Sequence, residues 1–433
     1  MREMRYRPSR FFLVSLIALM TTGATTFWIW HRLHNVPLQR MKGIEVLKTL
    51  LLPREQNDDL ILTAEDRRRN RPATEALMHQ VSAKYPALQI PSHPVAEAEN
   101  GFLQLYRFSQ EYDRLKSPAL RGLRGLLEST RWDAEEAKRL LEQNAEMVAR
   151  VETIAAMSGR STIGMPEEYD GFIQARWIKL AAEVLLIKAR LAAEAHDEQE
   201  ALRLTKTALN LASHLREIEE PTLLGETVGI LIDLAVVHMT HQHLLPALGR
   251  EANLPQWKAA LHRRSYNPAD FAHVIRGEWS NAMRYYLFPI LVDRSNRHRP
   301  KDADEFAHMI SFHYQAYIGR LHRMRLAEMA KDPGIAVPGD AKKLSAKSNQ
   351  LYDLLMIGSK SWSKGYQRAA VIMAQSQAAF DLLILEKTGT ALTSGSSKGV
   401  TPDPLAEKPF TFDPTTRTLT TKSSDVAPLK LPF

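Results

Sequence analysis

Residues 173–215 read IQARWIKLAAEVLLIKARLAAEAHDEQEALRLTKTALNLASHL, and this stretch decides the fold class. Ile173, Trp177, Leu180, Val184, Ile187 and Leu191 follow one another in alternating steps of four and three. On an α-helix that spacing gathers them on one face. His196-Asp197 breaks the run, and Ala201, Leu204, Ala208 and Leu211 then resume the same spacing. Two amphipathic helices across a short polar turn predict an antiparallel αα-hairpin. Ala189, Ala201 and Ala208 fall where a tetratricopeptide repeat places small residues. However, Thr205 stands where the repeat has an aromatic, and no copy follows about 34 residues later. The expectation is repeat-like packing, not a repeat array.

The helical pattern extends both ways from this hairpin. Upstream, Leu141, Val148 and Ala155 recur every seven residues, as do Leu140, Met147 and Ile154. They predict one helix with Asp133 and Glu136 as its capping pair. Downstream, Thr222 to Leu245 is apolar nearly all round, as expected of a buried central helix. Further helices are predicted over 269–293 (with Pro289 a kink or stop), 305–330 and 352–387. No long alternating strand pattern competes with them, so residues 95–388 read as an all-α domain of packed antiparallel hairpins, partly solenoid-like. From Gly389 the composition shifts to Ser, Thr, Gly and Pro. Within 389–433, Phe410-Thr-Phe412, a turn at Asp413-Pro414 and Arg417-Thr-Leu419-Thr predict a small β-hairpin appendage.

The N-terminus differs from everything after it. Phe11 to Trp30 carry no charge, and a helix of about 20 such residues spans about 30 Å, the thickness of a bilayer's hydrocarbon core. Arg2, Arg5, Arg7 and Arg10 form a basic tail over 1–10, and Phe27, Trp28 and Trp30 sit at the far end as interfacial aromatics. Residues 11–30 therefore predict a single transmembrane anchor contacting lipid, with the N-terminus cytoplasmic and the bulk of the chain on the far side. The rival reading is a signal peptide cleaved near Thr22-Gly23-Ala24. Over 31–94, a short helix is expected at Leu38–Leu52 between Pro37 and Pro53. A polar linker carrying Arg67, Arg68, Arg69 and Arg71, and then Pro86, Pro91 and Pro94, should follow it.

Composition bounds the chemistry. Of 433 residues, 44% are hydrophobic and 24% charged, a globular balance, and the net charge is +8. The positive charge is spread along the chain, and no aromatics interleave with the arginine run, so nucleic-acid binding has no motif to carry it. Cysteine is absent, which removes disulfides, thiolate nucleophiles, cysteine-ligated zinc and iron–sulfur clusters. Gly395-Ser-Ser397-Lys-Gly399 has the letters of a nucleophile elbow but lies in the Ser/Thr-rich linker, with neither the strand nor the helix the elbow requires.

Histidine occurs 15 times. His238, His241 and His243 gather near the end of the apolar helix, where cations complement its dipole, and His313 lies on an apolar row as a core histidine. A sharper pattern is Asp270-Phe-Ala-His273 beside Glu305-Phe-Ala-His308. A carboxylate and a histidine three apart share a helical face, and two such pairs with two further carboxylates build the di-iron or di-manganese centres of ferritin-like bundles. Glu226 and Asp233 are candidates for the missing pair. The competing reading makes Asp270 and Glu305 ordinary first-turn acids and pairs Glu226 and Asp233 with arginines such as Arg190 or Arg203.

Several segments together resemble a family of bacterial membrane-anchored, helical-hairpin proteins with no established activity. These are Glu99-Asn100 followed by Leu103 and Tyr106, the hairpin KARLAAEAHDEQEALRLTKTALNLASHL (188–215), EPTLLGETVGI (220–230), RGEW (276–279) and PDPLAEKPFTFD (402–413). Gly101 stands where that family more often has alanine. The resemblance implies architecture and a place in the bacterial inner membrane, and it implies no cofactor and no catalytic residue. The resulting expectation is a non-enzymatic scaffold or interaction module of the cell envelope with a protein partner. A metal-dependent oxidoreductase built on Asp270, His273, Glu305 and His308 is the alternative.

Overall fold

The computed structural model describes residues 64–115, 122, 126, 132–166, 169, 173, 175–296, 299–335, 345, 348, 359–394, 399–421 and 426–433. The expected anchor at 11–30 and the helix at Leu38–Leu52 lie outside them. The described chain is mostly helical with small antiparallel strands at its C-terminal end. We number the helices α1 (Ala64–Lys84), α2 (Gly101–Leu115), α3 (Ala134–Glu142), α4 (Ala145–Ala156), α5 (Ala175–Glu194) and α6 (Glu198–Arg216). There follow α7 (Leu223–Met239), α8 (Leu254–Leu261), α9 (Pro268–Ala282), α10 (Ala303–Leu321) and α11 (Ser359–Lys387). The chain divides into two compact units. Of the described residues, the first takes 64–86, 280–312, 345 and 348, and the second takes the rest.

In the first unit, the polar stretch expected to be a linker is instead the helix α1. Thr74, Met78, Val81 and Tyr85 turn inward at helical spacing. This stripe has too few apolar members to stand out against the surrounding charge. Polar contacts fix the helix's outer side. Arg284 Nε meets Glu75 at 3.0 Å, and Asp293 receives both Arg69 and Asn70 at 3.3 Å. The segment after α9 passes through a π-turn at Met283–Leu287 into a short helical turn at Phe288–Val292. Pro289 sits at the start of that turn, and the helical run continues past it to Val292.

The second unit is organised around α5 and α6. His196 closes the turn between them in the left-handed region (φ 57°), where its N–H reaches Ala193 O and that of Asp197 reaches Ala192 O. These bonds satisfy the last carbonyls of α5. The Asp197 side chain then accepts from Glu200 N at 3.0 Å and starts α6. The single stripe read on α5 proves too narrow. Val184 and Ile187 are buried, but so are Ala182, Leu185, Leu186 and Ala189, while Trp177 and Leu191 are only half-buried. The helix is packed on several sides, by α6 and α7 among others, which one-face periodicity does not anticipate.

The helix predicted upstream is two. Asp133 caps Glu135 and Glu136 as expected, but the chain breaks at Gln143-Asn144, where Asn144 Nδ2 donates back to Leu140 O at 2.6 Å. Helix α7 is central as predicted. Together with its π-turn at Thr240–Leu244 it is long and apolar enough to cross a membrane, as is the Trp362–Lys387 part of α11. Both are mostly buried in this unit and carry buried polar groups (Glu226, Asp233, Gln375, Ser376), which marks them as core helices.

The strands are Pro402–Asp403 with Lys408–Pro409, and a three-stranded sheet of Thr411–Asp413, Thr418–Thr420 and Leu429–Lys430. Phe412 lies opposite Leu419, as the predicted hairpin requires. The appendage is not a loose end. Phe410, Phe412, Leu419, Val426 and Leu431 are buried, and Gln375 of α11 donates to Leu419 O at 2.9 Å and Ala427 O at 3.3 Å. Arg417 adds a bidentate pair to Glu386, both bonds 2.8 Å.

Candidate functional site

Residues 100–101, 214, 221–225 and 273–279 make close contacts inside the second unit. Thr222 caps α7 by accepting from Gly225 N at 3.0 Å. Gly277 of the RGEW motif lies against Pro221, and a Cβ there would come within 2.2 Å of Pro221 O. Glu278 accepts from Leu223 N at 2.8 Å, Trp279 is fully buried, and Arg276 Nη2 donates to His273 Nδ1 at 2.6 Å. Asn100 does similar work at α2, bonding Ser161 O at 2.9 Å and Ser161 N at 3.1 Å. Gly101 is required there, because a Cβ would approach His214 Cε1 to 2.1 Å.

Beside this junction lies a buried charge cluster. Arg216, the last residue of α6, is 4% exposed and crosses α7 at Gly229, whose missing Cβ would sit 2.2 Å from Arg216 Nε. Its Nη1 donates to Asp233 at 2.6 Å and its Nη2 to Tyr266 Oη at 2.9 Å, while the Tyr266 hydroxyl donates to the same Asp233 oxygen. Glu226 completes the cluster through ion pairs of 3.3 Å to Arg216 and 3.4 Å to Arg264, neither aligned as a hydrogen bond. Burial opposes charge on Arg216, but Asp233 and Glu226 hold its pKa well above the ordinary arginine value. Burial likewise pushes the Tyr266 phenol well up, so it stays a donor. The expectation that arginines neutralise Glu226 and Asp233 is met by different ones. Arg190 pairs with Glu194, and Arg203 with Glu200 and Glu152.

This cluster floors a cleft of about 290 Å³. Helix α6 contributes Leu209, Asn210, Ser213 and Arg216 from one face, and the chain after α8 contributes Arg263 and Arg264. Arg160, Glu217, Asp233, Leu261 and Met373 complete the wall. Arg160 is paired with Glu217, and Arg263 donates to Asn210 Oδ1 at 3.2 Å. Sequence reading missed Arg216, Tyr266 and the Arg263-Arg264 pair. The available signal was Gly225 and Gly229 four apart on an otherwise apolar helix, a spacing that admits a close neighbour.

The sequence-predicted metal residues are placed as follows. Asp270 accepts from Asn267 Nδ2 at 2.8 Å and from Ser265 within the first turn of α9. His273 Nε2 donates to Ile218 O at 3.1 Å while its Nδ1 accepts from Arg276, so both ring nitrogens are engaged. Burial and the neighbouring Arg276 lower its pKa. In the first unit, Glu305 is exposed and the His308 ring lies tilted against Tyr85, with centroids 6.0 Å apart. Among the described residues no group of three or more His, Asp or Glu side chains is arranged to hold a metal ion.

The histidines near the end of α7 do not close a helix, because the π-turn carries the chain on to Leu248. His241 is buried, with its Nε2 2.9 Å from Ser376 Oγ, and the same hydroxyl lies 3.4 Å from His262 Nε2. Burial, then His238, takes the His241 pKa down to about 3. Burial, with His241 and Lys258, brings His262 to a similar value of about 3. Comparison of the chain with protein-family models, with curated proteins and with solved structures gives no match in any of the three.

Proposed function

We propose that this protein is a membrane-anchored helical scaffold of the bacterial cell envelope whose second unit presents the arginine cleft to an acidic partner. The cleft carries the reading, because it brings four arginines to one opening over a floor fixed by Asp233, Tyr266 and Gly229. A pre-formed floor lowers the ordering cost of binding. The repeat-like α5–α6 hairpin, the resemblance to membrane-anchored helical proteins and the uncharged run from Phe11 to Trp30 support the rest: a single-pass inner-membrane anchor with the body outside the cytoplasm. Helical hairpins packed this way also offer grooves that suit partner segments.

The test is a membrane-impermeant cross-linker added to intact spheroplasts that display the full chain, either wild type or Arg263→Glu. Arg263 is exposed and holds only Asn210 among the described residues, so the charge reversal leaves the fold in place. The expected result is a discrete cross-linked partner with wild type that is lost in the variant. An identical set of products from both chains would refute the cleft as the contact. Products that form only after lysis would place the body in the cytoplasm.

A further inference from the structure

We propose that the arginine cleft is a binding site for a monoanionic carboxylate bearing a short aliphatic group. The inference rests on the cleft being the partner-facing site, and it adds the chemistry of what enters. Charge comes first. Arg160, Arg216, Arg263 and Arg264 face the carboxylates of Glu217 and Asp233 in the wall and Glu226 beneath it. Four cations against three anions leave one positive charge uncompensated, which one carboxylate balances and a phosphate dianion exceeds.

Two of the four arginines keep free donors. Arg216 spends both terminal nitrogens on Asp233 and Tyr266, and Arg160 is committed to Glu217. Arg264 makes no hydrogen bond among the described residues and reaches Glu226 only as an ion pair, while Arg263 gives a single bond to Asn210. Both guanidinium groups, from residues that line the cleft, retain N–H groups for the paired, planar contacts that carboxylates make.

Size and wall composition narrow the ligand. A volume of about 290 Å³ lies at the small end of ligand sites, which run from about 300 Å³ upward. Leu209, Leu261 and Met373 line it beside the arginines, so an aliphatic group next to the carboxylate buries apolar surface while the charge is met. Two sources share this chemistry: the C-terminal residue of a partner peptide and a free aliphatic acid.

The experiment is calorimetric titration and thermal shift of the full chain in detergent, at fixed ionic strength. The probes are a hexapeptide ending in leucine, its C-terminal amide, 4-methylpentanoate and inorganic phosphate. Saturable binding of the free-carboxylate peptide is expected, at least about tenfold tighter than its amide. Arg263→Gln and, separately, Arg264→Lys should each weaken it by about fivefold or more, because Gln removes the charged fork and Lys replaces it with a point charge. If Arg264→Lys fails to fold, Arg263→Gln decides alone. Binding of 4-methylpentanoate as tight as the peptide identifies a free acid as the source, and much weaker binding identifies a peptide terminus. Equal binding of acid and amide, equal binding of phosphate, or no saturation by any carboxylate up to about 10 mM overturns the proposal. Loss of partner capture in Arg263→Glu without carboxylate binding sinks this inference alone. Carboxylate binding with unchanged capture sinks only the partner reading.

Discussion

Lowering the pH from 7 to 5 should strip this protein of much of its stability. Two fully buried histidines drive the effect. His214 lies against Gly101 with its Nε2 2.9 Å from Ile154 O, and burial, then Arg160, pushes its pKa down to about 4. His241 lies between Ser376, His262 and Phe380, with its pKa at about 3. In the unfolded chain both titrate near 6.5. The folded state holds the neutral forms, so below about 6.5 the unfolded chain binds protons that the folded chain refuses. The contribution is therefore complete above that pH and is lost as pH falls toward about 4 for His214 and about 3 for His241. Each group erodes stability by about 1.4 kcal/mol per pH unit, or about 2 kcal/mol between pH 6.5 and 5. The pair loses about 4 kcal/mol, a large share of a typical total of about 5–15 kcal/mol. His262 adds to it. For a domain this size the melting midpoint should drop by about 8–16 °C, read by circular dichroism in a pH series. His214→Gln/His241→Gln keeps polar side chains without the titration and should flatten that slope. A wild-type midpoint unchanged between pH 7 and 5, or a slope equally steep in the double variant, would refute the reasoning.

Three further outcomes follow from the packing and the site geometry. Gly277→Ala drives a Cβ to 2.2 Å from the Pro221 carbonyl, a backbone wall that cannot rotate away, and should cost about 2–3 kcal/mol or more. By contrast, Gly365→Ala, on an open face of α11, should stabilise by about 0.5–1 kcal/mol, and denaturant midpoints separate the two. A chain ending at Lys387 uncovers the α11 surface that the strands Pro402–Asp403, Thr418–Thr420 and Leu429–Lys430 pack against, so its midpoint should fall by more than about 10 °C. A fall within a few degrees would mean the appendage packs independently. Finally, because both ring nitrogens of His273 are already bonded, protein purified without chelator should carry only sub-stoichiometric metal by elemental analysis, unchanged in His273→Gln and His308→Gln. A full equivalent of metal lost in both variants would instead support the oxidoreductase.

What the sequence determined on its own is what repeats along it. The three-and-four spacing in residues 173–215 specified the hairpin, the all-round apolarity of 222–245 specified a central helix, and alternation about Asp413-Pro414 specified the hairpin of strands. These are local signals, since periodicity states which face is buried whatever buries it. Boundaries were less legible. The break at Asn144 depends on one side chain folding back on Leu140, and the polar sequence of α1 conceals a helix whose apolar stripe is thin. The arginine cleft was decided only by tertiary structure. Its members come from α6, α7, α8, α11 and the chain after α4, α6 and α8, and apart from Asp233 none is marked by its own segment. No spacing rule links Arg216 to Asp233 or to Tyr266. They meet because Gly229 lacks a Cβ and lets the end of one helix lie across another. The Asp270/His273 and Glu305/His308 pairs show the converse. Spacing placed a carboxylate and a histidine on one helical face, but whether those groups are free to bind anything is set by neighbours distant in sequence, such as Ile218 beside His273.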